Sequence, residues 1–278
     1  MSNKTDQLSS YLSNYDKLRR YLETCGKKHN YYKFYSKFST ILKVQTSKKI
    51  ILSDGSNWND KIDRELFNKP ENTYKNYGMC FSCSQDENVA MWMLYGGIDK
   101  CGGMIDFTKT AMNNILSVQS VIAGRLDENG NFIEKKSLTR EQYKLFCIDV
   151  VYYINDKGEF YITKAYDRKA KINKTILDKL SVCKKSYPWQ YENECRLICT
   201  VKKSSLDDEC SHVCIDLNGL HLGQSLKRVY YGPCFPPSKI DSSNQIIKSK
   251  LYGSIDWSLC KGPCVILGNL KQETGART

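Results

Sequence analysis

The chain has no run near the roughly 18 or more consecutive apolar residues that a membrane-spanning helix needs, and Met1 to Arg20 is polar and charged. A secretory signal would place an apolar segment there, so the sequence predicts a cytoplasmic protein without a membrane partner. No G-x-G-x-x-G and no Walker A loop occurs, which leaves no sequence basis for a Rossmann dehydrogenase or a P-loop nucleotide hydrolase. No internal repeat, arginine-rich tract or RNP-type sequence is present. A second cysteine knuckle is missing too. Cys80-x-x-Cys83 stands alone, and Cys210-x-His212-x-Cys214 falls on alternate positions of one strand face. Structural zinc takes four matched ligands, so no metal is expected.

What is there is ordinary for a globular protein: 278 residues, 41% apolar and 26% charged, enough for one large domain or two small ones. The 13 cysteines are odd in number, and Cys147, Cys195, Cys199 and Cys214 sit inside apolar strand-like runs. Cysteine used as a small hydrophobe in a reducing compartment accounts for both facts. The formal net charge of +12 favours a polyanionic partner, whether RNA, DNA or an acidic protein. A generally basic soluble surface would give the same count.

Leu8, Tyr11, Leu12, Tyr15, Leu18, Tyr21 and Leu22 recur at helical spacing and predict a helix over residues 6–26. Asn30 to Phe34 reads as an aromatic strand, and Ser39 to Val44 as a short helix with Ser39 as its N-cap. Lys49 to Leu52 is a strand closed by the turn formers Ser53 to Asn57. A strand over Met79 to Ser84 leads into a helix that opens at Gln85-Asp86-Glu87-Asn88 and ends at Gly96-Gly97. Gly102 to Phe107 is the next strand, and residues 108–140 read as a helix and a mobile insertion. Strong strands follow at Phe146 to Ile154, Glu159 to Thr163 and Cys195 to Val201, with a basic helix over 164–184. Val213 to Leu217 and Val229 to Tyr231 are short strands, and a last helix is expected around 238–251. Strands and helices mix without strict alternation, so the fold class is α+β.

Three segments have residues suited to chemistry. In a strand over Tyr191-Glu192-Asn193-Glu194-Cys195-Arg196-Leu197-Ile198, the side chains of Glu192, Glu194 and Arg196 share one face, while Asn193, Cys195, Leu197 and Cys199 share the core face. Adjacent carboxylates push one pKa up, and a guanidinium opposes that shift. A solvated face with a cross-strand ion pair fits the same pattern. Ser82 and Ser84 flank Cys83 at a strand end, where hydroxyls can fix a carboxylate. The following helix carries Met91, Trp92 and Tyr95, either as a core stripe or, for Tyr95, as a stacking ring. Lys33 is the one cation in the aromatic run Tyr31 to Tyr35. There it either meets a ligand or snorkels to water.

Taken in order, several motifs resemble those of a bacterial family labelled as a domain of unknown function. They are Tyr32-Lys33-Phe34-Tyr35-Ser36, Ile50-Ile51-Leu52, Asn59-Asp60, Phe81-Ser82, Met91-Trp92-Met93-Leu94-Tyr95, Gly102 to Phe107, and Trp189 to Ile198. The match spans residues 30–235, and its last motif is the most specific. The layout is similar to the ADP-ribosyltransferase superfamily. That resemblance implies an N-terminal helical extension over 1–29, a catalytic domain over 30–252 with a split, mixed or antiparallel β core flanked by helices, and a tail over 253–278. It further implies NAD as co-substrate. Glu194 would stand as the catalytic glutamate, with Glu192 acting on the acceptor. Ser82 or Ser84 would fix Glu194, Tyr95 would stack on nicotinamide, and Lys33, where the superfamily has Arg or His, would contact ribose or pyrophosphate. A toxin or phage-defence role with an antitoxin partner follows from the resemblance alone. RNA is the favoured acceptor, ahead of DNA or protein, because the chain is basic. A non-catalytic nucleotide-binding module on the same scaffold is the competing expectation, and a metal-dependent nuclease a third.

Overall fold

Two sheets share the strands, and apolar alternation decides which face of each is covered. The computed structural model describes residues 8, 11–69, 72–84, 88–164, 169–222, 229–236 and 246–248. Among them, eleven strands form a large sheet and four a small one. The large sheet holds β1 (Tyr31–Tyr35), β2 (Lys49–Ser53), β3 (Tyr74–Ser82), β4 (Gly103–Phe107), β5 (Ser120–Leu126), β6 (Phe132–Thr139), β7 (Tyr143–Asp149), β12 (Glu194–Lys202), β13 (His212–Asp216), β14 (Val229–Tyr231) and β15 (Ile246–Lys248). The small sheet holds β8 (Val151–Asp156), β9 (Glu159–Thr163), β10 (Ala170–Ile172) and β11 (Lys184–Ser186). The helices are α1 (Tyr15–Gly26), α2 (Phe38–Ser47), α3 (Lys61–Phe67), α4 (Val89–Tyr95), α5 (Lys109–Leu116) and α6 (Lys174–Lys179). Pairing is antiparallel throughout except for β8 with β11 and β14 with β15. The fold is α+β, and among the described residues no helix is long and apolar enough to cross a membrane.

Both faces of the sheet centre are buried. On one face, Tyr77, Met79 and Phe81 of β3 and Cys195, Leu197, Cys199 and Val201 of β12 pack with Ile41 and Val44 of α2 and Ala111, Met112 and Ile115 of α5. On the other, Ile148 and Ile198 join Leu18 and Leu22 of α1, Phe67 of α3, and Val151, Ile162 and Ile172 of the small sheet. One feature of the pairing creates the site. β3 runs beside β12 from Tyr74↔Lys202 to Ser82↔Glu194. On its opposite edge β1 meets it at Tyr32↔Ser82 and β2 at Ser53↔Gly78. β1 then continues to β4, and β2 to β13, so the sheet divides in two over Met79, Cys80 and Phe81.

Several elements depart from the sequence reading. The first helix starts at Tyr15, because Asn14 accepts from the Lys17 amide and caps it there. α2 begins at Phe38 after Lys37, with no side-chain cap, so Ser39 lies inside the helix. The strand expected over Met79 to Ser84 starts earlier, at Tyr74, and stops at Ser82. Residues 120–139 are not a mobile insertion; β5 and β6 form a hairpin that pairs with β13. The strand expected over Phe146 to Ile154 is two strands, because the Val150 amide bonds to Glu194 O in the large sheet and the Val151 amide to Cys183 O, just before β11 of the small sheet. The basic helix over 164–184 is reduced to α6, with β10 before it and β11 after. Most of the expected helix at 238–251 lies outside the described residues, but residues 246–248 are strand.

The cysteines of the described residues are all free thiols, most of them buried. Cys147 and Cys195 touch through sulfur at 3.2 Å in the core. Gly26, the last residue of α1, lies against the β7 backbone, and a Cβ there would come within 2.8 Å of the Cys147 carbonyl oxygen. Backbone cannot yield as a flexible side chain can. Gly26→Ala is therefore expected to destabilise the protein by about 1–3 kcal/mol, read as a lower urea midpoint at unchanged m-value.

Candidate active site

β12 carries three consecutive same-face side chains at its start: Glu194, Arg196 and Ile198. Arg196 is fully buried. Its Nη1 and Nη2 donate to Oδ1 and Oδ2 of Asp63 at 2.9 and 2.6 Å, and its Nε donates to Glu194 Oε1 at 2.7 Å. Nη1 also donates to the Val182 carbonyl at 3.1 Å, and the indole of Trp58 lies 4.8 Å from the guanidinium carbon. Asp63 is delivered by α3, whose N-cap Asp60 accepts from the Ile62 and Asp63 amides. Burying a guanidinium is tolerable only with this degree of hydrogen bonding, because the desolvation cost is several kcal/mol per ion.

Glu192 arrives differently from the sequence expectation. Tyr187 to Glu192 is a 3-10 turn, and Asn193 follows at φ 42°, in the left-handed region that asparagine tolerates better than most residues. The strand therefore begins at Glu194, and the reversal at Asn193 brings Glu192 back beside it. Lys185 of β11 joins the two: its Nζ donates to Glu192 Oε2 at 2.5 Å and to Glu194 Oε2 at 3.2 Å. The ammonium lies 4.8 Å from the centroid of the Trp189 ring. Tyr95 donates its hydroxyl to Glu192 Oε1 at 2.5 Å, and the Glu194 amide donates to the Tyr152 hydroxyl at 2.7 Å.

The two neighbouring carboxyls are driven apart electrostatically. Burial raises Glu192, the Glu194 charge adds to that, and Lys185 opposes it; the result is about 7. Burial acts on Glu194 the same way, but Arg196 and Lys185 together outweigh it and hold that carboxyl well below the usual range. Lys185 is raised: burial disfavours its charge, and Glu194 and Glu192 more than compensate. At neutral pH the arrangement offers one fixed carboxylate and one group able to gain or lose a proton, the division of labour that acid–base chemistry uses.

Glu192, Glu194 and Lys185 line a cavity of about 400 Å³ at the division between β1 and β2, toward the lower end of the roughly 300–1,000 Å³ of small-molecule sites. The structure brings together Glu192, Glu194, Lys33, Ser82 and Tyr95 around it. Lys33 is half-buried and, among the described residues, forms no ion pair; burial lowers its pKa against the pull of Cys80, Glu194 and Glu192. Tyr35 also lines the cavity, and its buried hydroxyl has no hydrogen-bond partner among the described residues. Ser82 stands across the ladder from Glu194, but Arg196 and Lys185, not a serine hydroxyl, hold the carboxylate. Ser84 lies past the end of β3 and is not on the cavity wall. Sequence reasoning missed Lys185, Asp63, Trp58 and Tyr152. Lys185 falls just past the basic run 164–184 that read as helix and a few residues before Pro188-Trp189, and it was assigned to no element. Asp63 gave no signal separating it from any other surface acid.

Compared with family models, with curated proteins and with solved structures, the chain gives no match.

Arg196→Met would leave Asp63 and Glu194 buried without their guanidinium, and is expected to lose roughly 3–5 kcal/mol of unfolding free energy in urea titration. Glu192 gives a second prediction. Its folded pKa of about 7 exceeds the ordinary 4.5, so the folded state binds the extra proton, and its contribution to stability falls as pH rises from 4.5 through 7. Glu192→Gln should remove that fall, gaining on the order of 3 kcal/mol relative to the parent between about pH 5 and pH 8, measured as the difference in urea midpoints.

Proposed function

We propose that the chain is an NAD-dependent mono-ADP-ribosyltransferase whose catalytic pair is Glu194 and Glu192. The observation that carries this reading is the presence, in one cavity, of two adjacent carboxyls bridged by Lys185, one held ionised and the other raised toward neutrality. In the transfer, the bond between the ribose anomeric carbon and nicotinamide breaks, and its electron pair leaves with nicotinamide. The acceptor nucleophile bonds to that carbon and gives up its proton. The transition state resembles an oxocarbenium ion, which a fixed carboxylate such as Glu194 stabilises through its charge. Glu192, titrating near neutrality, is suited to take the acceptor's proton. Lys33, a cation without an ion-pair partner among the described residues, suits phosphate, and the Tyr35 hydroxyl, unpartnered among the same residues, offers a further polar contact. Tyr95 orients Glu192 through its hydroxyl, and its ring on the cavity wall suits nicotinamide.

The division of the sheet between β1 and β2 suits the split core of the ADP-ribosyltransferase type. The net charge of +12 favours a nucleic-acid acceptor, RNA ahead of DNA or protein. A role as a bacterial toxin or anti-phage effector, restrained by an antitoxin, rests on the motif resemblance. One observation favours a second reading, a non-catalytic nucleotide-binding module: both oxygens of Glu194 already accept from Arg196 and Lys185.

The test is incubation with NAD labelled in its adenylate half, followed by scoring of RNA, DNA and protein for added ADP-ribose. The parent is expected to label an acceptor. Glu194→Gln, which keeps the side chain's size, should lower transfer at least about a hundredfold. Labelling undiminished in that variant would remove the reading, and binding of NAD without any transfer by the parent would select the module instead.

A further inference from the structure

Lys185 reaches the carboxylate pair from the other sheet. β11 pairs in parallel with β8 at Lys185↔Tyr152, and Tyr152 in turn receives the Glu194 amide. Its neighbour Lys184 turns away to Asp178, 3.2 Å distant. Trp189 covers the Lys185 ammonium from one side, so the cation is confined where it lies. The partners it serves are unequal. Glu194 has a second cation, because Arg196 holds its other oxygen. Glu192 has only Lys185 as an ion-pair partner among the described residues, together with the Tyr95 hydroxyl.

We propose that Lys185 is the positioning residue of this centre: its one ammonium, bonded at once to both carboxylates, holds them side by side and leaves the exchangeable proton to Glu192, the partner with fewer cations. The proposal rests on the reading of this pair as the catalytic centre. The groups facing Glu192 are Lys185 of β11, Tyr95 of α4, Glu194 of β12, Lys33 of β1, Tyr152 of β8 and Tyr191 of its own turn. Lys185, Lys33 and the Tyr95 hydrogen bond favour its charged form, and Lys185 is the one cation among these that touches it. During transfer nicotinamide leaves neutral with the bonding electron pair, so its pyridinium charge is lost, and the acceptor's proton passes to a Glu192 oxygen; Lys185 then keeps Glu194 as its one charged partner.

The experiment is a carbon-13 NMR titration of side-chain carboxyls in the full chain without NAD, with Glu192 identified by its loss in Glu192→Gln. The parent should show a glutamate midpoint near 7. In Lys185→Met that midpoint should rise by about one pH unit or more, because an opposite charge in contact is worth about 1–3 units, and Lys185→Arg should restore it most of the way. An unmoved midpoint in folded Lys185→Met would overturn the proposal. If that variant does not fold, the nitrogen-15 signal of the Lys185 ammonium in the parent decides: it should shift with the same midpoint as Glu192, and a flat response from about pH 5 to 9 would overturn the proposal equally. Transfer assays on the same proteins separate the two ideas. A parent with no transferase activity but a lysine-dependent midpoint would leave the positioning role standing and remove the enzymatic reading. An active parent with an unmoved midpoint would do the reverse.

Discussion

Everything at the centre of this molecule depends on the buried guanidinium of Arg196. It lies on the face of the large sheet that the small sheet and α3 cover, where no water screens it. Its charge is admissible only because Asp63 takes both Nη groups and Glu194 takes Nε. These bonds join α3 to β12 and fix the direction of the Glu194 carboxylate. A buried pair of this kind adds little net stability against an apolar core of equal volume, yet breaking it is costly. Its value therefore lies in geometry: the carboxylate cannot rotate away from the cavity without abandoning a buried cation.

The second carboxyl is governed by the same charge at one remove. Arg196 satisfies Glu194 enough that Lys185 can be shared, and the shared cation leaves Glu192 the more easily protonated of the two. The division of β1 and β2 then admits a ligand to this pair. Three parts of the chain far apart in sequence, near residues 33, 63 and 190, meet there. Burial of the carboxyls beside Trp58 and Trp189 strengthens the electrostatics between them and their cations.

Alternation was the part of the site legible in advance. Cys195, Leu197 and Cys199 do face the main core, and Glu194 and Arg196 do share the opposite face. What failed was continuity. Asparagine is disfavoured in strands and tolerates the left-handed conformation that Asn193 adopts, but the Glu-x-Glu-x-Arg alternation on either side of it gave a continuous strand period that outweighed this signal. The same limit explains the run from Phe146 to Ile154. It is apolar but for Asp149, and its backbone bonds pass from one sheet to the other at Val150, a choice made by the distant partners Glu194 and Cys183. The hairpin at 120–139 was missed for a similar reason: β6 is mostly exposed, with Glu134, Lys135 and Lys136 in succession, and only its pairing with β5 makes it a strand.

The sequence by itself determined the α+β class, the apolar stripes, the buried use of cysteine and the company of acidic and basic residues near Glu194. Those are local properties, set by side-chain type and period. The tertiary structure alone decided that Lys185 would be a partner of that glutamate and Asp63 the partner of its arginine, that Glu192 would titrate near neutrality, and that the sheet would part over Cys80. Each of these depends on which charges stand within a few ångströms after the chain has folded, and on how little water is left between them.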